Sequence, residues 1–135
     1  MQLVVVSDGS PDTDACVGEA AARAERLIVM RVLPGSLVAR SSSPAEAGRL
    51  RRQAEDGARG EVTAQLDRVA PGVDARIVVV FGDVVFDTVL VARNLDAEAI
   101  AIDADDPSRH DLIERSPVPV LVFGSGRAAS GDPGS

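Results

Sequence analysis

Apolar residues along this chain fall into two alternating kinds of run. Residues 2–7 (QLVVVS), 27–33 (LIVMRVL), 75–81 (ARIVVVF), 98–103 (EAIAID) and 118–123 (VPVLVF) are short, nearly continuous blocks dominated by Val, Ile and Leu. Such blocks predict strands covered on both faces. Between them, apolar positions recur at three- and four-residue steps, the period of a helix that buries one side. Ser10 and Pro11 open the first helical segment, a cap followed by a ring that fits the first turn, and Ala15, Cys16, Ala20 and Ala24 mark its apolar face. Ser43-Pro44-Ala45-Glu46 opens the second as a capping box, with Ala47, Leu50, Ala54, Ala58, Val62, Leu66 and Val69 in step as far as Pro71-Gly72. A third helix follows Gly82-Asp83 and ends near Asn94, and one or two helical turns are expected around 108–115. Residues 36–43 read as a loop, and 124–135 (GSGRAASGDPGS) as a disordered tail with nothing to bury.

Strands alternating with helices predict an α/β fold, a single-domain doubly wound parallel sheet of five strands within residues 1–123. Ligands of such sheets bind beyond the carboxyl ends of the strands, where the winding reverses. Attention therefore falls on the residues after the first and fourth strands.

Those residues carry a resemblance. The first-strand exit Val6-Ser7-Asp8-Gly9-Ser10, Gly82-Asp83 after the third strand, residues 97–102, and the closing Pro117-Val118-Pro119-Val120-Leu121-Val122 stand in the order found in the universal stress protein family. The chain resembles that family over nearly its whole length, to about Phe123. The resemblance implies a Rossmann-like, adenine nucleotide alpha hydrolase-like sheet with strand order 3-2-1-4-5. It also implies a stress-response regulatory or binding role and a homodimer formed through the fifth strand by Val118, Pro119, Val120, Leu121 and Val122. In nucleotide-binding members, Asp8 corresponds to a residue beside the adenosine moiety, and a Gly-x2-Gly-x9-Gly-Ser/Thr loop follows the fourth strand. Glycines there let backbone amides surround phosphate oxygens.

This chain departs from that pattern. The first glycine position falls on Asp103, the following residues are Ala104-Asp105-Asp106-Pro107-Ser108, and no glycine occurs before Gly124. The connection is also short, and Gly124-Ser125 follows the last strand, too late to replace the missing Gly-Ser. A carboxylate about 5 Å from a phosphate charge repels it by about 3 kcal/mol at an effective dielectric of about 20. Asp103, Asp105 and Asp106 together predict loss of ATP binding. The expected protein is not an enzyme and uses no cofactor. Its alternative is a small-molecule sensor that binds an adenine nucleotide or a divalent metal near Asp8. Hydrolysis at a nucleotide α-phosphate ranks last, because no loop remains to steady a phosphoryl transition state.

Composition narrows the choice further. Aromatic residues are 2% of the chain, so Val, Ile, Leu and Ala must fill the core. A formal charge of -7 disfavours nucleic acid and anionic lipid, and no apolar run is long enough for a membrane span. All 14 basic residues are Arg, which excludes a Schiff-base lysine, a P-loop lysine and the lysine of a phosphoacceptor domain. One cysteine, and an N-terminus without a charged leader or cleavage site, fit a cytoplasmic protein.

Each remaining feature has a plainer reading beside the chemical one. Asp8, Asp103, Asp105 and Asp106 offer oxygen donors to Mg²⁺ or Ca²⁺, but turn caps and solvated loop residues are the preferred reading. Asp8 and Asp103 are the only metal candidates retained. Cys16 is read as a core residue rather than a redox thiol, and His110 as a surface residue. Arg49, Arg52 and Arg59, interleaved with Glu55 and Asp56, are read as a salt-bridged solvent face rather than an anion site. Ser41–Ser43 are read as loop and cap rather than phosphorylation sites. An unidentified protein partner stays open.

Overall fold

In the computed structural model, which describes residues 1–36 and 43–124, the predicted apolar blocks become one sheet. Its strands are β1 (Gln2–Val6), β2 (Arg26–Leu33), β3 (Ala75–Phe81), β4 (Ala99–Asp103) and β5 (Val120–Phe123). Every neighbouring pair is parallel and the order is β3-β2-β1-β4-β5. The chain winds outward from β1 through β2 to β3, then crosses back to β4 and β5 on the other side. The winding thus reverses between β1 and β4, as the expected strand order requires.

Helices α1 (Asp14–Arg23) and α2 (Pro44–Val69) cover one face, and α3 (Val84–Asn94) and α4 (Arg109–Arg115) the other. Strand alternation divides the core accordingly. Leu3, Val5, Leu27, Val29, Ala99 and Ala101 meet Cys16, Val17 and Ala20 of α1 and Val62 and Leu66 of α2. Val4, Val6, Ile28, Met30, Ile100 and Ile102 meet Val85 and Ala92 of α3 and Leu112 of α4. Ser43 caps α2, accepting from the Glu46 amide at 3.1 Å, and Asp83 caps α3 through the Val85 amide at 3.1 Å. No helix among the described residues is long and apolar enough to cross a membrane.

Three expectations are corrected. The fifth strand starts at Val120, because the Ser116 hydroxyl accepts from the Val118 amide and donates to the Val118 carbonyl, at 3.1 and 2.6 Å. Pro119 has no N–H, and its carbonyl alone meets β4, accepting from the Ile100 amide at 3.0 Å. The first helix starts at Asp14, because Pro11–Thr13 form a 3₁₀ turn capped by the Ser10 hydroxyl. The arginines of α2 do not pair with Glu55 or Asp56 among the described residues. Instead Arg59 donates to the Ile77 carbonyl at 2.9 Å, and Arg51 lies 4.8 Å over the Phe81 ring. Most of the expected loop (37–42) and the expected tail (125–135) lie outside the described residues.

Candidate functional site

The chain leaves β1 through a buried Ser7 and turns sharply at Gly9, whose φ of +77° suits a residue without a side chain. A Cβ there would come within 3.0 Å of Glu61 Cβ on α2. Asp8 closes the turn. Its Oδ1 accepts from the Ser10 amide at 2.9 Å, the Ser10 hydroxyl at 2.7 Å and the Thr13 hydroxyl at 3.1 Å. Burial pushes the Asp8 carboxyl up, but the Ser10 and Thr13 hydrogen bonds and the Arg31 charge outweigh it and hold the group below the ordinary carboxylate value.

Beneath this turn lies a polar network that the sequence reading missed. Gln65 of α2 is fully buried. Its Oε1 accepts from the Ser7 hydroxyl at 2.6 Å, while its Nε2 donates to the Ser10 carbonyl, Thr13 Oγ1 and Asp14 Oδ1 at 3.1, 3.0 and 2.9 Å. Arg68, one turn along, donates to both Asp14 oxygens at 2.7 and 3.2 Å. Burial raises the Asp14 carboxyl, but the Arg68 and Gln65 hydrogen bonds and the Arg68 charge prevail and lower it. One signal was available: Gln65 stands in the apolar stripe of Val62, Leu66 and Val69, where a polar side chain needs buried partners.

The opposite wall is the exit from β4. Asp103 Oδ1 accepts from the Asp105 amide at 2.8 Å and its carbonyl from the Asp106 amide at 3.0 Å. Asp106 repeats the arrangement, with Oδ1 taking the Ser108 amide at 2.8 Å and its carbonyl the Arg109 amide at 3.1 Å. The Ala104 amide donates to the Phe123 carbonyl at 2.9 Å, and Pro107 has no N–H to offer. Every backbone donor from 104 to 109 is therefore engaged within the loop or with β5.

Between the walls is a crevice of about 170 Å³ lined by Asp8, Asp12, Thr13, Asp103, Asp105, Asp106 and Pro107. Five of these seven residues are acids. The structure thus brings Asp8, Asp103, Asp105 and Asp106 together and adds Asp12. Among the described residues, however, no group of three or more metal-ligating side chains is placed to hold an ion. A larger hollow of about 500 Å³ lies between α1 and the end of α2, at the amino-terminal ends of the strands, where sheets of this winding do not place their ligands. Cys16 is fully buried, and burial, with the Asp103 and Asp106 charges, pushes its thiol up to about 12. It is a core residue. His110 is exposed on α4, outside the crevice.

The model of the universal stress protein family matches residues 1–124. No curated protein matches the chain. Among solved structures, the chain is similar to the hypothetical protein MJ0577, 16% identical with a TM-score of 0.75, covering 91% of this chain and 94% of that one. The universal stress protein from Archaeoglobus fulgidus in complex with dAMP is 22% identical, with a TM-score of 0.63 over 90% of this chain and 96% of its own. The universal stress protein UspA from Lactobacillus plantarum is 18% identical, with a TM-score of 0.63 over 91% and 97%.

Proposed function

The chain belongs to the universal stress protein family, and from that membership we propose that it is a homodimeric, cytoplasmic binding or regulatory module of the stress response, not an enzyme, that does not hold ATP. The observation that carries the last clause is the use of the loop amides. A phosphate site beyond β4 needs free N–H groups, and here the donors from 104 to 109 are engaged by Asp103, Asp106 and Phe123. Freeing them would break the local fold, and the carboxylates left behind would face the phosphates. Isothermal titration with ATP and Mg²⁺ tests this reading. No heat of binding at millimolar nucleotide is expected, and a micromolar dissociation constant would overturn it.

The dimer reading rests on the two sheet edges. The bonds from Pro119 and Phe123 carbonyls to β4 leave Val120 and Val122, by alternation, with their backbone groups on the outer edge of β5. Val122 is also 40% exposed. An apolar edge of this kind invites pairing. The other edge, β3, is guarded by Arg59 on the Ile77 carbonyl and Arg51 over Phe81. Val122→Pro deletes one outer-edge N–H without touching the β4 ladder. In sedimentation velocity it is expected to turn a dimer into a monomer; a wild type already monomeric at micromolar concentration would refute the reading.

A second reading is favoured by one observation. The Archaeoglobus fulgidus structure was solved with dAMP, and the Asp8 turn lies at the β1 side of this crevice. A mononucleotide brings one phosphate where ATP brings three, and so meets less repulsion from Asp103, Asp105 and Asp106. Titration with dAMP beside ATP separates the two readings.

A further inference from the structure

We propose that the outward strip of α3, bordered by the end of α4, docks an acidic amphipathic helix of another protein. An apolar side chain of that helix enters the hollow beside Phe86, and its carboxylates meet Arg93 and Arg115. The inference goes beyond the reading above and uses neither the crevice nor the β5 edge.

The solvent side of a surface helix is ordinarily polar. On α3 the inner side is already used, with Val85, Thr88 and Ala92 buried. Yet Phe86 and Leu90, one turn apart on the same helix, are 65% and 40% exposed. Phe86 is the most exposed large apolar side chain among the described residues. With Val85, Val89, Arg93 and Arg115, these two line a hollow of about 110 Å³, room for one large aliphatic side chain. From Phe86 to Arg93 the strip covers two turns, about 10 Å, a length that a helix laid alongside can follow. Helix α3 packs on β1 and β2, so the strip is separate from the outer edge of β5.

Charge complementarity names the occupant. Arg93 and Arg115 border the apolar strip, no acid lines the hollow, and among the described residues neither arginine makes an ion pair or a hydrogen bond. By contrast Arg23, Arg26, Arg31 and Arg68 each face a carboxylate, in a chain with 21 acids for 14 arginines. Both arginines stand in the last turn of their helices, where the dipole favours a cation, but their guanidinium donors still lack an acceptor. A carboxylate supplies one in the matching fork geometry. A second copy of this face fits badly, because a two-fold pairing would set arginine against arginine. The stretches outside the described residues supply no match: 125–135 holds no Leu, Ile, Val, Phe or Met, and 37–42 holds no carboxylate. An anionic lipid surface would repel a chain of net charge -7.

The test is selection against the full chain from a phage-displayed library of random peptides long enough for several helical turns. Enriched peptides are then synthesised and titrated by fluorescence anisotropy. They are expected to carry Leu, Ile, Met or Phe at three- and four-residue steps, flanked by Asp or Glu. Phe86→Ser, at an exposed side chain and with its fold checked by thermal unfolding, should weaken their binding about tenfold, and Arg93→Glu with Arg115→Glu at least as much. Arg49→Glu with Arg52→Glu changes the net charge equally on α2, across the sheet, and should stay within about twofold of wild type. Selection repeated on the Arg93→Glu, Arg115→Glu protein should enrich Lys and Arg in place of Asp and Glu. Amide chemical shifts on peptide binding should move at 85–93 and 113–115. No enrichment, peptides without acidic bias, or equal losses from the two arginine pairs would overturn the proposal. A dimer that Phe86→Ser alone turns into a monomer in sedimentation velocity would also overturn it, in favour of a second copy. Phe86-dependent binding to vesicles of phosphatidylcholine and phosphatidylglycerol would overturn it in favour of lipid.

Discussion

Replacing Gln65 by Leu preserves the volume of the side chain and removes every hydrogen bond it makes. Four groups lose a partner: the Ser7 hydroxyl, the Ser10 carbonyl, Thr13 Oγ1 and Asp14. Each keeps another partner: Asp14 has Arg68 at 2.7 Å, Ser7 has Thr13 at 3.3 Å, the Ser10 carbonyl accepts from the Thr13 amide at 3.1 Å, and the Thr13 hydroxyl donates to Asp8 at 3.1 Å. The cost is therefore that of the four lost hydrogen bonds themselves, about 0.5–1.5 kcal/mol each. A loss of about 2–6 kcal/mol follows, or roughly 8–24 °C in Tm for a chain of this size. Urea unfolding at fixed protein concentration, followed by circular dichroism, measures it, with the slope expected unchanged. The double variant Gln65→Leu with Ser7→Ala supplies the diagnostic. Removing both partners should cost less than the sum of the single changes, since each single change already breaks the bond between them. A Gln65→Leu variant within about 0.5 kcal/mol of wild type, or strictly additive losses, would refute the claim that this network pins the β1 exit to α2.

Acid should weaken the fold through Asp8 and Asp14. Both carboxyls are held below 3.8 in the folded protein, so the folded chain binds fewer protons than the unfolded one. Their contribution is complete above that value and lost as pH falls through the folded values; urea midpoints measured down the acid limb should drop less steeply in Asp14→Asn. Cys16, fully buried with its thiol pushed up to about 12, should resist an aromatic disulfide reagent at mildly alkaline pH in the native protein and react at once in denaturant; rapid native labelling would contradict the core packing. Gly9→Ala should cost about 1–3 kcal/mol, from a φ of +77° and a Cβ pressed against Glu61, read by thermal unfolding.

The order of elements was readable from the sequence because it rests on local periods. Val-rich blocks and the stripe Ala58, Val62, Leu66 each announce their geometry within a few residues, and the two capping motifs fix where α2 and α3 begin. The crevice could be placed too, since the reversal of winding between β1 and β4 is a property of the topology. The site's chemistry was only partly visible. That Asp103, Asp105 and Asp106 put negative charge beyond β4 is written in the sequence, as is the burial of Cys16 on an apolar face. Where each hydrogen bond goes is not. Gln65 and Ser7 are 58 residues apart, and only the packing of α2 against the β1 exit makes them partners. The same applies to Arg59, which leaves the expected ion pairs on its own helix for a carbonyl at the edge of β3. Ser116, by engaging both backbone groups of Val118, shortens β5 although the apolar run continues. Polarity patterns report which side chains must leave water. Which donor meets which acceptor depends on angstrom-scale distances between distant segments, and those exist only once the sheet and its helices have been assembled.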